Sequence, residues 1–290
     1  MKKLGFAVAI LVMVCVGAAS VAAMSHGDTK VRIYWTSSGL LGPFSILDVL
    51  TGYPKDQDRQ VMMPVVMFII DHPKGLVVFD TGNNIAISDG NCKSHWKSWL
   101  CDGLQPTQTR QDVIDRQLEK VGYSVGDVKI VITSHSHLDH IGNIEMFPDA
   151  IHVIQKKELY QAWWPEKFQR GGAHVIADYD DARDFTYFEL DGDYDLFGDG
   201  SVMIISTPGH TLGHQSVKVK LAETGTVLLT QDAVWVEENL EGYPASLNYS
   251  ILDYNKSIQR IKMLRDIEGA QLWLGHSMKQ HQKMAEKWYE

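Results

Sequence analysis

One short run of residues, 133–143, constrains the fold and the chemistry of this chain more than any other segment. The stretch before it, 128–132, is almost continuously apolar and rich in β-branched side chains, which predicts a strand buried on both faces. The run therefore begins at the carboxyl end of a buried strand, where α/β sheets form their sites. Within it, three histidines and one aspartate fall in six residues: His135, His137, Asp139 and His140.

The donors in this run are those of a metal site. Imidazole and carboxylate groups together suit Zn²⁺ and similar divalent ions, and four of them are more than one tetrahedral ion usually takes from so short a stretch. We therefore expect two ions side by side. His135 and His137 would project to the same side of an extended backbone, while Asp139 and His140 would serve the second ion where the chain turns. Zn²⁺ is the ion we expect first, although iron, manganese or cobalt would also accept these donors.

Four other predicted strands also end in ligand-type residues. Each is a short apolar stretch followed closely by polar side chains, and the stretches are 76–79, 202–206, 226–229 and 271–274. The polar residues that follow them are Asp80, His210, Asp232 and His276. Because such strand ends converge on one crevice, we predict a ligand set for two ions. The first ion takes His135, His137 and His210, the second takes Asp139, His140 and His276, and Asp232 lies between them.

The pattern of strands and helices indicates a single domain over residues 24–290. Strands alternate with helices up to about residue 164, and shorter strands predominate from there to a helix at 253–265. We find no internal repeat and no linker that divides the chain. Two strand-rich halves with helices on the outside predict an α/β protein of the four-layer αββα sandwich type.

Residues 1–23 have the pattern of a secretory signal peptide. Two lysines precede an apolar stretch, 4–16, and small residues end the segment at Ala23. We expect cleavage before Met24 and a periplasmic or secreted protein with no membrane contact afterwards. A membrane-spanning helix is the alternative, but the stretch is short for one and rich in small residues toward its end.

Loss of this leader would leave two cysteines, Cys92 and Cys101. An exported protein meets an oxidising environment, so we expect the pair to close a disulfide over a short loop. Such a bridge stabilises a protein by about 2–3 kcal/mol, mainly by constraining the unfolded chain. The two alternatives are a metal site that includes His95 and a pair of separate thiols.

The surface charge argues against some partners. The chain has a formal net charge of −9 at pH 7, and removal of the leader with its two lysines would make it −11. An acidic protein is disfavoured as a ligand of nucleic acid or of anionic lipid. We therefore expect a small-molecule substrate and no nucleic-acid partner. The sequence pattern leaves the oligomeric state open.

The full set of metal ligands resembles that of the metallo-beta-lactamase superfamily, whose motif of three histidines and one aspartate matches residues 135–140. Within that superfamily the chain is most similar to the N-acyl homoserine lactonases, over the segments 207–216, 227–233 and 274–276. The resemblance covers nearly all of the chain after the leader. It implies a quorum-quenching hydrolase that opens the ring of a small-molecule lactone with hydroxide supplied by two metal ions.

The resemblance also implies roles for two carboxylates. Asp139 would be catalytic as well as a ligand, because it lies next to the reacting water and would pass a proton to the leaving alkoxide. Asp80 would orient a ligand histidine by accepting its other N–H. A general lactonase, a thioesterase or a weak β-lactamase of the same fold is the alternative activity, and a metal-binding protein without turnover is the alternative class.

One position departs from the lactonase pattern. The lactonases commonly have a tyrosine three residues after the bridging aspartate, and this chain has Trp235 there. An indole N–H donates one hydrogen bond but does not exchange a proton as a phenol does. The alternatives for Trp235 are a wall of the substrate pocket, ordinary core packing or a hydrogen-bond donor, with Tyr243 as a possible replacement for the tyrosine. Trp163 and Trp164 are further candidates to line a cleft for the acyl chain.

Overall fold

Two mixed β-sheets form the centre of the fold in the computed structural model, which describes residues 30–165 and 173–290. The predicted leader, 1–23, lies outside the described residues. The strands are β1 (Arg32–Ser45), β2 (Gln60–His72), β3 (Gly75–Phe79), β4 (Val128–Ile132), β5 (Ile151–Gln155), β6 (Thr186–Leu190), β7 (Tyr194–Asp195), β8 (Val202–Ser206), β9 (Gln215–Leu221), β10 (Gly225–Gln231), β11 (Gln271–Leu274) and β12 (Lys287–Tyr289).

Helices cover the outer faces of the sheets. They are α1 (Ile46–Val49), α2 (Ile85–Ser88), α3 (Cys92–His95), α4 (Ser98–Leu104), α5 (Ile114–Lys120), α6 (Lys156–Trp163), α7 (Glu237–Glu241), α8 (Ile251–Glu268) and α9 (Met278–Met284). The helices α2 to α4 were not predicted, because helices of one or two turns depend on tertiary packing more than on their own sequence. Among the described helices, each is too short or too polar to cross a bilayer.

Each of the two sheets contains both parallel and antiparallel strand pairs. The first sheet has the order β12-β1-β2-β3-β4-β5-β6, and the second has the order β11-β10-β9-β8-β7. Strands β3 to β6 are parallel neighbours, as are β10 and β11, and the remaining pairs are antiparallel. Because neighbouring parallel strands run in the same direction, their carboxyl ends lie at the same edge of the sheet.

Both faces of the central strands are buried. In β2, Val66, Phe68 and Ile70 pack into the core between the two sheets, together with Trp273 of β11. The alternate residues, such as Met67, pack on the opposite face with side chains of α5. On the far side of the second sheet, α8 packs in the same way. This arrangement explains why the sequence of β2 is apolar on both faces, and it confirms the predicted αββα sandwich.

The segment 92–101 is closed by a disulfide between Cys92 and Cys101, whose Cα atoms lie 5.9 Å apart. It contains α3 and the start of α4. Within it Trp96 is fully buried and belongs to the same apolar cluster as Leu138 of the 133–143 run. We call residues 92–101 the disulfide segment. Its packing joins it directly to the run that carries the predicted metal ligands.

Candidate metal centre

Carboxyl ends of strands from both sheets meet at one end of the fold. In the first sheet, β3 and β4 are parallel neighbours, and they are followed directly by Asp80 and by the 133–143 run. In the second sheet β8, β10 and β11 share one direction, because β9 is antiparallel to both β8 and β10 and β11 is parallel to β10. These three strands are followed by His210, Asp232 and His276.

The seven predicted ligands come together in two buried groups. Within each group the ligand atoms lie within 4.8 Å of one another, and the groups are His135, His137, His210 and Asp232, and Asp139, His140 and His276. In the first, His137 Nδ1 lies 3.1 Å from His135 Nε2 and 2.9 Å from His210 Nε2. In the second, Asp139 Oδ2 lies 3.4 Å from His140 Nε2 and 3.7 Å from His276 Nε2. These spacings suit tetrahedral coordination, in which bonds of about 2.0 Å place ligand atoms about 3.3 Å apart.

Asp232 lies between the two groups. Its Oδ2 is 3.1 Å from His210 Nε2 and 3.7 Å from His135 Nε2. Its Oδ1 is 3.1 Å from His140 Nε2 and 3.1 Å from His276 Nε2. The two oxygens of one carboxylate therefore face different histidine pairs, which is the geometry of a bridging ligand.

The buried charges of this site fit divalent cations. Asp139 is 9% and Asp232 is 3% exposed, and their ion pairs within the described residues are all with histidines. Asp232 Oδ1 and His140 Nε2 lie 3.1 Å apart, yet both are buried without a hydrogen-bond partner in the described part of the chain. Buried charges are normally paired or bound to metal. A cation between these two atoms would satisfy both.

The protonation of the ligand rings also suits metal binding, which requires neutral imidazoles. Burial holds the pKa of His135 and that of His137 well below the usual value, so both rings are neutral at pH 7. Burial also acts to lower the pKa of His140, but the carboxylates of Asp139 and Asp232 outweigh it and raise that pKa well above 6.5. A cation in the second group would replace this proton, so its binding releases a proton.

Asp80 holds His140 from behind the second group. It is fully buried, and its Oδ2 lies 2.8 Å from His140 Nδ1. Ser134 donates to the same carboxylate through its backbone N–H and its hydroxyl, and the Gln231 amide also donates to it, each at 2.6 Å. An imidazole held at Nδ1 presents Nε2 to a metal. The structure thus places Asp80 where the predicted orienting role requires it.

Backbone carbonyls orient two more ligand rings. His210 Nδ1 donates to the carbonyl of Leu247 at 2.7 Å, and His276 Nδ1 donates to that of Pro64 at 2.8 Å. Pro64 lies in the part of β2 that pairs with β1 only, because β3 joins β2 further along the strand. A ring that donates at Nδ1 keeps its lone pair on Nε2, the atom that faces Asp232 in both cases.

Glu158 is a site residue that the sequence analysis missed. This fully buried carboxylate of α6 accepts hydrogen bonds from the N–H and hydroxyl of Ser136 at 2.8 and 2.7 Å. Its other oxygen accepts from the Thr211 hydroxyl at 2.6 Å. Glu158 therefore ties the 133–143 run to the loop between β8 and β9. The one sequence signal is its spacing of three from Gln161, which places two polar residues on one buried face of the helix.

An apolar cavity of about 230 Å³ opens onto both ligand groups. Ligands from each group form part of its lining: His137, Asp139, His210, Asp232 and His276. The walls are mostly carbon, and their larger side chains are Leu41, Phe44, Val49, Met63, Leu104, Leu138, Trp235 and Leu247. Such a cavity, apolar with a few convergent polar groups, has the character of a small-molecule site.

A sequence profile of the metallo-beta-lactamase superfamily matches residues 62–270, which is more than half of the chain. The chain belongs to the metallo-beta-lactamase superfamily. It is 34% identical over 256 residues to the N-acyl homoserine lactonase AttM of Azorhizobium caulinodans, a match that covers 86% of this chain and 94% of AttM. The N-acyl homoserine lactonase AiiA of Bacillus thuringiensis subsp. kurstaki is 28% identical over 258 residues, or 87% of this chain and 95% of AiiA.

A solved structure shows the same metallo-beta-lactamase fold. It is an N-acyl homoserine lactone hydrolase with the product N-hexanoyl-L-homoserine bound at its catalytic metal centre. The two structures match with a TM-score of 0.74 at 24% sequence identity, over 88% of this chain and 96% of the other. The family assignment and the fold expected from the sequence are confirmed.

Within this metallo-beta-lactamase domain, Trp235 is a wall of the cavity. Its ring centroid lies 5.5 Å from that of His210 and 5.9 Å from that of His276. The side chain is 8% exposed, and its Nε1 is buried without a hydrogen-bond partner among the described residues. Of the alternatives considered for Trp235, the geometry favours an apolar wall over a polar donor.

The other three predicted pocket residues do not line the cavity. The Tyr243 ring packs edge-on against Tyr53 at 5.0 Å. Trp163 packs against a separate apolar cluster, and Trp164 is 63% exposed. The physical reason is that α6 turns its Glu158 face toward the site, so the aromatic residues at its end point elsewhere. The cavity wall instead comes from β1, α1, β2 and α4, together with loop residues.

Proposed function

We propose that this chain is an exported N-acyl homoserine lactonase, a dinuclear metallohydrolase that opens the lactone ring by adding water across its ester bond. The observation that supports this most is the position of Asp232, whose two oxygens face two ligand groups at an apolar cavity. The relatives named N-acyl homoserine lactonase match the chain over most of their length. Interception of diffusible signalling lactones, or quorum quenching, would follow from this activity.

Two divalent ions would be held by residues that already lie together. His135, His137 and His210 would hold the first, Asp139, His140 and His276 the second, and Asp232 would bridge them. This donor set favours Zn²⁺, and iron, manganese and cobalt are the alternatives. When bound, such ions lower the pKa of a water molecule and polarise an ester carbonyl.

We assign proton transfer to Asp139. Its side chain is 12% exposed and lines the cavity, whereas that of Asp232 is 4% exposed and that of His276 is 2% exposed. Asp139 is therefore the ligand carboxylate that an incoming water and a leaving alkoxide can both reach. Its carboxylate would accept the proton of the water and return it to the alkoxide of the opened ring.

The cavity lining indicates the substrate class. Walls of carbon atoms bind an acyl chain by removing it from water. Asp48, which is exposed, is one of the few polar residues in the lining. The mostly apolar lining thus supports a lactone that has an acyl chain.

Export is the second part of the proposal. Its support is the leader pattern of residues 1–23 and the disulfide Cys92–Cys101, since such bridges persist in oxidising compartments. Cell fractionation with N-terminal sequencing tests it. We expect a chain that begins at Met24 outside the cytoplasm, and an uncleaved chain confined to the cytoplasm would contradict export.

A ring-opening assay tests the proposed reaction. We expect the zinc-loaded protein to release acid from N-hexanoyl and N-decanoyl homoserine lactones, to lose this activity on chelation and to regain it with added Zn²⁺. A thioester and a chromogenic β-lactam serve as comparison substrates, for which kcat/KM should be at least about 10²-fold lower, a gap of 2.7 kcal/mol in transition-state binding. Hydrolysis of either comparison substrate without ring opening would contradict the proposal.

The Trp235→Phe and Trp235→Ala variants test the wall role of Trp235. Phenylalanine keeps an aromatic wall and loses only an N–H that has no partner among the described residues, so kcat should change by less than about threefold. Alanine removes the wall, and KM for a long-chain lactone should rise more than about tenfold. Steady-state kinetics on both variants measure these changes in kcat and KM. A tenfold loss of kcat in Trp235→Phe would show instead that the indole N–H binds the substrate.

A further inference from the structure

The segment 173–178 packs directly against the 133–143 run, which contains four of the predicted metal ligands. The Ala173 carbonyl accepts a hydrogen bond from the backbone N–H of Leu138 at 2.9 Å. His174 Nδ1 lies 3.1 Å from the Ser136 hydroxyl, and the His174 ring centroid is 4.7 Å from that of His137. Ala173 also lines the cavity. The start of this segment is therefore both a wall of the cavity and the neighbour of a ligand ring.

The other end of the segment is anchored by a buried ion pair. Asp178 is fully buried, and its Oδ1 lies 2.6 Å from His95 Nε2. Its backbone N–H donates to the carbonyl of Val175 at 2.9 Å, which closes a tight turn. A buried carboxylate that loses its partner is destabilised strongly, because the charge remains out of water. His95 therefore helps to hold Asp178 in place, together with the side chain of the neighbouring Trp96.

His95 belongs to the disulfide segment. That segment is closed by Cys92–Cys101, and Trp96 packs in one cluster with Leu138 of the run. The disulfide segment is thus linked to the 133–143 run in two ways. Trp96 packs in the same cluster as Leu138 of the run. The His95–Asp178 pair holds the segment 173–178, which in turn contacts the run. Two contacts to the same run hold it more rigidly than one.

We propose that the His95–Asp178 pair is a positioning device, which fixes the segment 173–178 over the metal-ligand run and thereby holds the His137 ring and one cavity wall in place. Its effect on lactone turnover rests on the proposed function. Neither residue is a predicted ligand, and neither lines the cavity at the ligand groups. They act through Ala173, His174 and Leu138.

The electrostatics of the pair agree with this role. Burial raises the pKa of Asp178 to about 6, while the hydrogen bond to Asp178 raises the pKa of His95 above its usual value. Glu145, in the turn after the run, is a further acid that faces both residues. At pH 7 Asp178 is therefore mainly a carboxylate, and the raised pKa of His95 favours the protonated ring that donates to it.

Substitution of His95 tests the proposal in the zinc-loaded protein. His95→Leu removes the partner of Asp178, His95→Gln keeps an N–H donor without the charge, and Asp180→Asn, in an exposed pair with Arg183, is the control. We expect His95→Leu to raise hydrogen exchange in peptides spanning 133–143 by at least about tenfold, since local opening becomes easier. We also expect faster Zn²⁺ release to a chelator and a lower kcat/KM for N-hexanoyl homoserine lactone. His95→Gln should recover most of each change.

The outcomes separate positioning from simple stability. A His95→Leu protein with a lower Tm but control-like exchange and Zn²⁺ release would overturn the proposal, because the pair would then only stabilise the fold. Should His95→Leu fail to fold, Asp178→Leu, which removes the other half of the hydrogen bond and leaves no unpaired buried charge, decides on the same measurements, and control-like values in it would overturn the proposal. Absence of lactone turnover in the unsubstituted protein would count against the proposed function alone, since exchange and Zn²⁺ release still report on positioning.

Discussion

Replacement of Asp232 with asparagine is expected to lower the metal content to about one ion per chain and to reduce turnover by about 10²- to 10³-fold. The reason is geometric, because the two carboxylate oxygens face two different histidine pairs, each with a contact at 3.1 Å. Asparagine keeps the shape of the side chain but offers one ligand oxygen and no charge. Elemental analysis and steady-state kinetics on the same preparation measure both effects.

A matched control for this substitution is Asp266→Asn. Asp266 pairs with its neighbour Arg265 on the surface and its side chain is 60% exposed, so its loss is expected to leave both stability and metal content nearly unchanged. If Asp232→Asn retained two ions and normal turnover, the bridging assignment would be wrong. Loss of metal in both variants would indicate a general defect in folding rather than the loss of a bridge.

Replacement of Asp139 with asparagine is expected to lower kcat by about 10²- to 10⁴-fold while KM changes little. The amide keeps an oxygen for the second ion but cannot accept a proton, and Asp139 is the ligand carboxylate most open to the cavity. The measurement is kcat and KM for a homoserine lactone, with metal content determined in parallel. Normal turnover with two ions bound would remove the proton-transfer role from Asp139.

The positions of the candidate ligands could be predicted because a metal site requires particular side chains, and these can be recognised in the sequence. Histidine and aspartate are common metal ligands, and the rule that parallel strands carry their carboxyl ends to one edge predicts that those which follow such strands meet. The prediction for Asp232 shows this well. It lies 92 positions after His140 in the chain, and the two side chains approach to 3.1 Å.

The cavity walls could not be predicted in the same way. Leu41, Phe44 and Val49 are ordinary apolar residues, and no pattern separates an apolar side chain that lines a cavity from one that packs in the core. The prediction instead used tryptophans, and Trp163 and Trp164 are absent from the lining of the described cavity because the buried face of α6 carries polar residues toward the site.

The amino-acid sequence was sufficient for the two-sheet architecture and for the candidate metal ligands that the fold brings together, since both follow from periodicity and from the chemistry of histidine and aspartate. The folded chain was needed to reveal the roles of Glu158, Asp178 and the cavity walls. Each of these depends on contacts between segments far apart in the chain, such as Glu158 with Thr211 and His95 with Asp178. Such contacts arise from how the layers pack. Local sequence patterns carry no information about which distant side chain will pair with a buried charged group.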